Sequence, residues 1–193
     1  MKIFTADQFN RFLQAIDNFL DEEADLILIG GTAAALFYKA SRATKDMDTY
    51  NSISKKLRCA HEKAKAMTGL NIPLEQSSVV TSPQDFEDRL QVYKPEMFKH
   101  LIVKHPEIID LILMKTGRCS SGDLEVIEDL VRKNKVKLNE IVDRFTREMK
   151  TTVGDLSNLR LNFLAVIERC FGESSAQKLD GQLVQAGFVS QGM

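Results

Sequence analysis

The stretch "IGGTAAALFYKASRATKDMDTY", Ile29 to Tyr50, decides how the chain is read. Gly30 and Gly31 end the apolar run Leu26-Ile27-Leu28-Ile29, which reads as a buried strand feeding a tight turn. Ala33 to Tyr38 follows as a short apolar helix whose small alanines permit close approach to a sheet, and polar Lys39 to Lys45 returns the chain to the next strand. Asp46, Asp48 and Tyr50 then alternate with Met47 and Thr49. Period-two geometry puts both aspartates on one face of that strand.

Upstream, Thr5-Ala6-Asp7-Gln8 has the form of a capping box. Phe9, Phe12, Leu13, Ile16, Phe19 and Leu20 recur behind it at helical spacing, predicting an amphipathic helix over residues 5–22. Downstream, "SKKLRCAHEKAKAM" from Ser54 to Met67 is a helix with a basic surface and Gly69 as its stop signal. Extended segments are expected around Ile72–Leu74, Ser78–Val80, Arg89–Tyr93 and His100–Val103, with Pro73, Pro83, Pro95 and Pro106 between and beside them. After Pro106 the pattern is helical throughout: Ile108–Thr116, Asp123–Lys133, Leu138–Met149, Leu156–Phe171 and Ser175–Ala186. Strands early and helices late predict an α+β core with a helical C-terminal portion, and "TTVGD" at Thr151 marks a boundary between residues 1–150 and a helical extension, 151–193, packed on them.

With 44% hydrophobic and 27% charged residues, the 193-residue chain can bury one sizeable core with a small appended piece. Lysine and arginine number 26 against 27 acids, a net charge of −1, so any attraction to nucleic acid must be local. Cys59, Cys119 and Cys170 are odd in number and form no C-x-x-C pair, which implies reduced thiols in a cytoplasmic compartment. No apolar leader opens the chain and nowhere do about 18 uncharged apolar residues run together, so neither export nor a membrane partner is expected.

Two carboxylates two residues apart on a strand repel one another, and a divalent cation is their natural neutraliser. Hard Mg²⁺ takes carboxylate oxygens and completes its shell with water and substrate phosphates, so Asp46-x-Asp48 reads either as a metal half-site for phosphoryl or nucleotidyl transfer or as an acidic pair that caps turns on a surface strand. Gly30 and Gly31 supply the other half: without Cβ atoms, the elbow and the N-terminus of the helix starting near Thr32 let backbone amides approach a triphosphate.

Together these residues resemble the nucleotidyltransferase superfamily, the DNA polymerase β-like fold, and within it the minimal nucleotidyltransferase-like proteins related to AbiE-type toxins of type IV toxin–antitoxin and phage-defence systems. Gly30, Gly31, Ala33, Arg42, Thr44, Asp46 and Asp48 carry the likeness, in the form G-G-x-A…R-x-T-x-D-x-D. A second block, "DLILMKTGRCSSGDLEVIEDL", resembles that family's helix-turn-helix segment through Lys115, Arg118 and Asp123, and departs from it at Val126, where an acid often recurs. The resemblance spans roughly residues 26–145. It implies a central mixed sheet flanked by helices, Mg²⁺ or Mn²⁺ on Asp46 and Asp48, and transfer of NMP from an NTP to RNA such as tRNA, to a protein or to a small molecule. It implies a cognate toxin or antitoxin partner as well.

The resemblance also implies a third carboxylate on a later strand. Glu75, after Ile72-Pro73-Leu74, is the first choice, with Asp85 and Glu87 of "SPQDFED" as the other options. Without such an acid, the chain would bind nucleotide, nucleic acid or a partner protein without turnover. Arg42 and Thr44 either hold a phosphate or order the loop before the aspartates. Lys115 either reaches triphosphate oxygens as a point charge or caps a helix C-terminus. The basic run Lys55, Lys56, Arg58, Lys63 and Lys65 is either an RNA-facing surface or the wet side of a helix. His61, His100 and His105 lack metal-site spacing, and Tyr50 and Tyr93 either stack on a base or pack.

Overall fold

The first helix, α1 (Ala6–Asp17), begins where its capping box predicts: the Thr5 hydroxyl accepts the Gln8 N–H at 3.3 Å and the Thr5 N–H reaches back to the Gln8 side chain at 2.9 Å. Phe9, Phe12, Leu13 and Ile16 are all fully buried, the stripe expected of a core-facing helix. It stops short of residue 22. Asp17 ends it by turning its carboxylate onto the backbone N–H groups of Lys99, His100 and Leu101 at 2.7–3.1 Å. The computed structural model describes residues 3–42, 44–77 and 80–190.

The chain divides into two compact units, Met1–Ser78 with Leu90–Pro106, and Val79–Arg89 with Glu107–Met193. The boundary expected at residue 150 falls inside the second. In the first unit, β1 (Ala24–Ile27) pairs in parallel with β5 (Leu101–His105), which pairs antiparallel with β4 (Gln91–Val92). β2 (Met47–Thr49) and β3 (Leu74–Gln76) are also parallel and are joined by α3 (Lys55–Thr68). An antiparallel bridge between Leu28 and Thr49 links the two pairings, through Ile29 N–H to the Asp48 carbonyl and Tyr50 N–H to the Ile27 carbonyl, both 2.9 Å.

Between β1 and β2 the chain forms α2 (Gly30–Tyr38), three residues earlier than Ala33. α3 begins on the Ser54 hydroxyl and ends at Gly69, whose φ of 67° is the left-handed conformation a terminating glycine supplies. β3 sits later than Ile72–Leu74 because Pro73 cannot donate to the ladder; its carbonyl instead accepts the Met47 N–H at 2.8 Å, ahead of the strand proper. Ser78 and Val79 of the expected Ser78–Val80 strand lie outside the described residues, and Val80 belongs to no strand. Where Arg89–Tyr93 reads as extended, Phe86–Arg89 is a 3₁₀ turn and the strand is confined to Gln91–Val92, with the Tyr93 N–H donating to the Val103 carbonyl at 2.8 Å just beyond it.

The second unit contains α4 (Ile108–Arg118), α5 (Ser121–Asn134), α6 (Leu138–Glu148), α7 (Leu156–Phe171) and α8 (Glu173–Gln185). Phe145, wholly buried, stacks on Phe163 with ring centroids 3.7 Å apart and on Phe188 at 4.7 Å. The described residues thus form an α+β fold with eight helices and a small mixed sheet. No described helix is long and apolar enough to cross a membrane, and the three cysteines are free thiols.

Candidate active site

The aspartate strand follows the period-two rule. Met47 and Thr49 are fully buried on one side, while Asp48 and Tyr50 are partly exposed on the other. Parallel pairing then places Asp48 directly opposite Glu75 of β3, and register partners on adjacent strands share a face. Asp46, one residue before β2, joins them. Each of the three carboxylates offers an oxygen, and these oxygens lie within 4.8 Å of one another.

The turn at the other end of the stretch closes on the same place. Gly30 has φ of 65°, and a Cβ built on it would lie 2.5 Å from Asp48 Oδ2. A side chain there would be both strained and in collision with the carboxylate. Gly31 is packed nearly as tightly, since a Cβ would sit 3.0 Å from the Thr44 hydroxyl. The diglycine elbow and the aspartate pair are therefore neighbours, with the first-turn amides of α2 beside the acids.

Two threonines hold Asp46. The buried Thr32 hydroxyl donates to the Asp46 backbone carbonyl, and the buried Thr44 hydroxyl lies 3.2 Å from Asp46 Oδ1. Thr44 is itself anchored where its carbonyl accepts the Phe4 N–H at 3.1 Å. Of the two roles the sequence leaves open for Thr44, these contacts match ordering of the loop, and Thr32 does the same from α2. Arg42 lies exposed two residues before Thr44.

Asn51 is a positioning residue that sequence reasoning missed. Its side-chain carbonyl accepts the Ile27 N–H at 2.8 Å and its amide donates to the Asp25 carbonyl at 3.0 Å, extending the link between β1 and the aspartate strand. A lone asparagine just past a D-x-D carries no signal of that kind.

The remaining candidates are not members of the trio. Asp85 and Glu87 belong to the second unit and are not part of the carboxylate trio. Lys115 is also in the second unit, in the last turn of α4, where its side chain is only 7% exposed and its ammonium sits 3.1 Å from Asp123 Oδ1. Arg118 and the Ser120 hydroxyl bind the same carboxylate at 2.7 Å each. Burial pushes the Asp123 carboxyl up, but the hydrogen bonds from Arg118, Ser120 and Lys115 outweigh it and hold the group well below the usual carboxylate range. The Lys-Arg-Asp spacing of the second block thus closes an ion cluster that locks the α4–α5 turn. Tyr93 packs edge-on against Phe37 and donates to Asn10 at 3.1 Å. His61 and His105 are buried, and burial lowers the His105 pKa.

Three carboxylates converging without a cysteine or histidine among them are a hard, all-oxygen donor set, the kind that suits Mg²⁺ or Mn²⁺ and leaves positions for phosphate oxygens. No curated protein and no solved structure matches the chain significantly. One family model does, over residues 4–170, and by that match this chain belongs to the family described as nucleotidyltransferase of unknown function (DUF6036).

Proposed function

We propose that the chain transfers a nucleoside monophosphate from an NTP to a hydroxyl of RNA or protein, in a reaction that depends on a divalent cation. The convergence of Glu75 on Asp46 and Asp48 carries this reading, because a transferase centre needs a third acid beside its metal-binding pair. Asp46 and Asp48 would hold the ion, with Thr32 and Thr44 fixing the first of them. A bound Mg²⁺ or Mn²⁺ supplies neutralisation of phosphate charge and polarisation of the α-phosphate.

The chain's own groups supply the rest. Amides of Gly30 and Gly31, at the positive end of α2, receive triphosphate oxygens, with Arg42 as a nearby charge. Glu75 takes the proton of the acceptor hydroxyl. The acceptor oxygen bonds to the α-phosphorus as the bond from that phosphorus to the bridging oxygen of pyrophosphate breaks, and pyrophosphate leaves with the electron pair. A cognate toxin or antitoxin partner is consistent with such an activity, and co-purification with the product of a neighbouring gene tests it.

Calorimetry with each NTP, with and without MgCl₂, is the first test: binding that needs the metal and disappears in Asp46→Asn/Asp48→Asn is expected. Unchanged binding in the double variant removes the metal site. Incubation with labelled NTPs and total RNA or protein then separates transfer from binding without turnover.

A further inference from the structure

Glu75 belongs to two features at once. Besides joining the carboxylate trio, it lines a cleft of about 220 Å³ whose other walls include Arg58, His61, Glu62 and Lys65 of α3 and Leu74 of β3. Arg58, His61, Glu62 and Lys65 recur at three- and four-residue spacing, so they form one stripe of the helix. The cleft therefore runs from the proposed reaction centre along the Arg58-to-Lys65 stripe of α3.

Partners within the first unit sort the basic run. Lys56 is bound to Glu22 at 2.7 Å and to the Glu23 carbonyl at 2.8 Å, and Lys63 lies over the Phe19 ring at 5.7 Å. Lys65 is 3.1 Å from Glu62, so those two charges offset one another on the cleft wall. Arg58 is exposed and, among the described residues, forms no ion pair. Behind it the wall is rigid: the buried His61 ring donates from Nε2 to the Ile72 carbonyl at 2.8 Å and meets the Phe12 ring edge-on at 5.4 Å. Because a carbonyl can only accept, Nε2 must carry the proton.

We infer that this cleft is the acceptor subsite and that the acceptor is a phosphodiester strand, its hydroxyl at Glu75 and an adjoining phosphate at Arg58. The inference rests on the nucleotidyl-transfer reading. A guanidinium is well matched to a phosphate, whereas a serine or threonine of a peptide acceptor brings no anion for it. The volume is below the roughly 300 Å³ at which clefts enclose whole drug-sized ligands. It suits one sugar-phosphate with the rest of the strand outside. The donor has its own place at the opposite end of the trio, where the diglycine elbow crowds Asp48.

The test is fluorescence anisotropy of the full chain with a short labelled single-stranded RNA over a salt series, alongside calorimetry with Mg²⁺ and NTP. Arg58→Ala should weaken RNA binding about ten-fold and reduce the slope of log affinity against log salt by about 0.7, the loss of one phosphate contact on a single strand. NTP binding should not change, and Arg58→Lys should restore most of the slope. RNA affinity and slope unaltered in Arg58→Glu would overturn the inference, as would loss of NTP binding in Arg58→Ala, which would make the cleft a donor pocket. Label transfer to a hydroxyl-bearing peptide in place of RNA would overturn it as well. A wild-type chain that binds RNA through Arg58 but no NTP would retire the transfer reading and support the cleft.

Discussion

In the second unit, Asp110 and Asp123 are buried against cations of their own chain, whereas in the first unit Asp46, Asp48 and Glu75 are gathered against one another. Asp110, with no exposed surface, accepts from Arg89 at 3.0 Å and Arg144 at 2.9 Å, and Glu148 and Glu107 bind the same two arginines at 2.7 and 3.1 Å. Asp123 has Lys115, Arg118 and the Ser120 hydroxyl. Carboxylates that meet guanidinium or ammonium groups lock elements together. Carboxylates that meet carboxylates carry a repulsion that an added cation relieves. The same side chain is thus paired with cations in one unit and gathered with other acids in the other, where the proposed function places the chemistry, and the identity of its neighbours makes the difference.

That contrast breaks most visibly at the trio. Asp46→Asn/Asp48→Asn is expected to lower label transfer on the order of a thousand-fold, because charge stabilisation of several kcal/mol depends on the held ion. Its thermal midpoint should stay level or rise, since like charges are removed; a collapse of the fold would make these acids structural and erase the distinction. Asp123→Ala should do the opposite. It strands the buried Lys115 ammonium and should cost about 3–5 kcal/mol in denaturant unfolding.

The Asp123 effect has a pH signature. The group's folded pKa is lowered, so its contribution to stability is fully present above the unfolded value of ~3.9 and is lost as the pH falls toward the folded one. Acid unfolding followed in wild type and Asp123→Asn should differ in that window, and identical curves would show that the cluster contributes nothing there.

Smaller effects sharpen the comparison. Gly30→Ala should cost about 1–2 kcal/mol for a left-handed residue and, by pushing on Asp48, should also weaken Mg²⁺ binding in calorimetry. Thr44→Val removes the hydroxyl at Asp46 Oδ1 and should weaken Mg²⁺ affinity about ten-fold, an effect of the size seen when groups behind metal ligands are lost. Affinity equal to wild type would show that Asp46 needs no such support.

Local signals carried far in this chain. The capping box at Thr5 and Gln8, the Gly69 stop and the limits of α7 all depend on groups a few residues apart, and all stand where the sequence puts them. The face shared by Asp48 and Tyr50 follows from pleat geometry alone. Glu75 was harder. Its position after Ile72-Pro73-Leu74 makes it the first choice, yet no motif around "IPLEQ" fixes it, because its place opposite Asp48 is set by how α3 packs and so which register β3 adopts. For Lys115, point charge and helix cap were both legible, but its partner Asp123 lies eight residues away across a turn.

By itself the sequence determined the elbow, the alternating acids and most helix ends, since a positive φ, a pleat and a cap are properties of adjacent residues. Tertiary structure alone decided which third acid joins the pair, that Thr32 and Thr44 hold Asp46, and which cations are bound to acids of the chain. Those outcomes depend on strand register and helix packing between residues far apart in the chain, where no local pattern reaches.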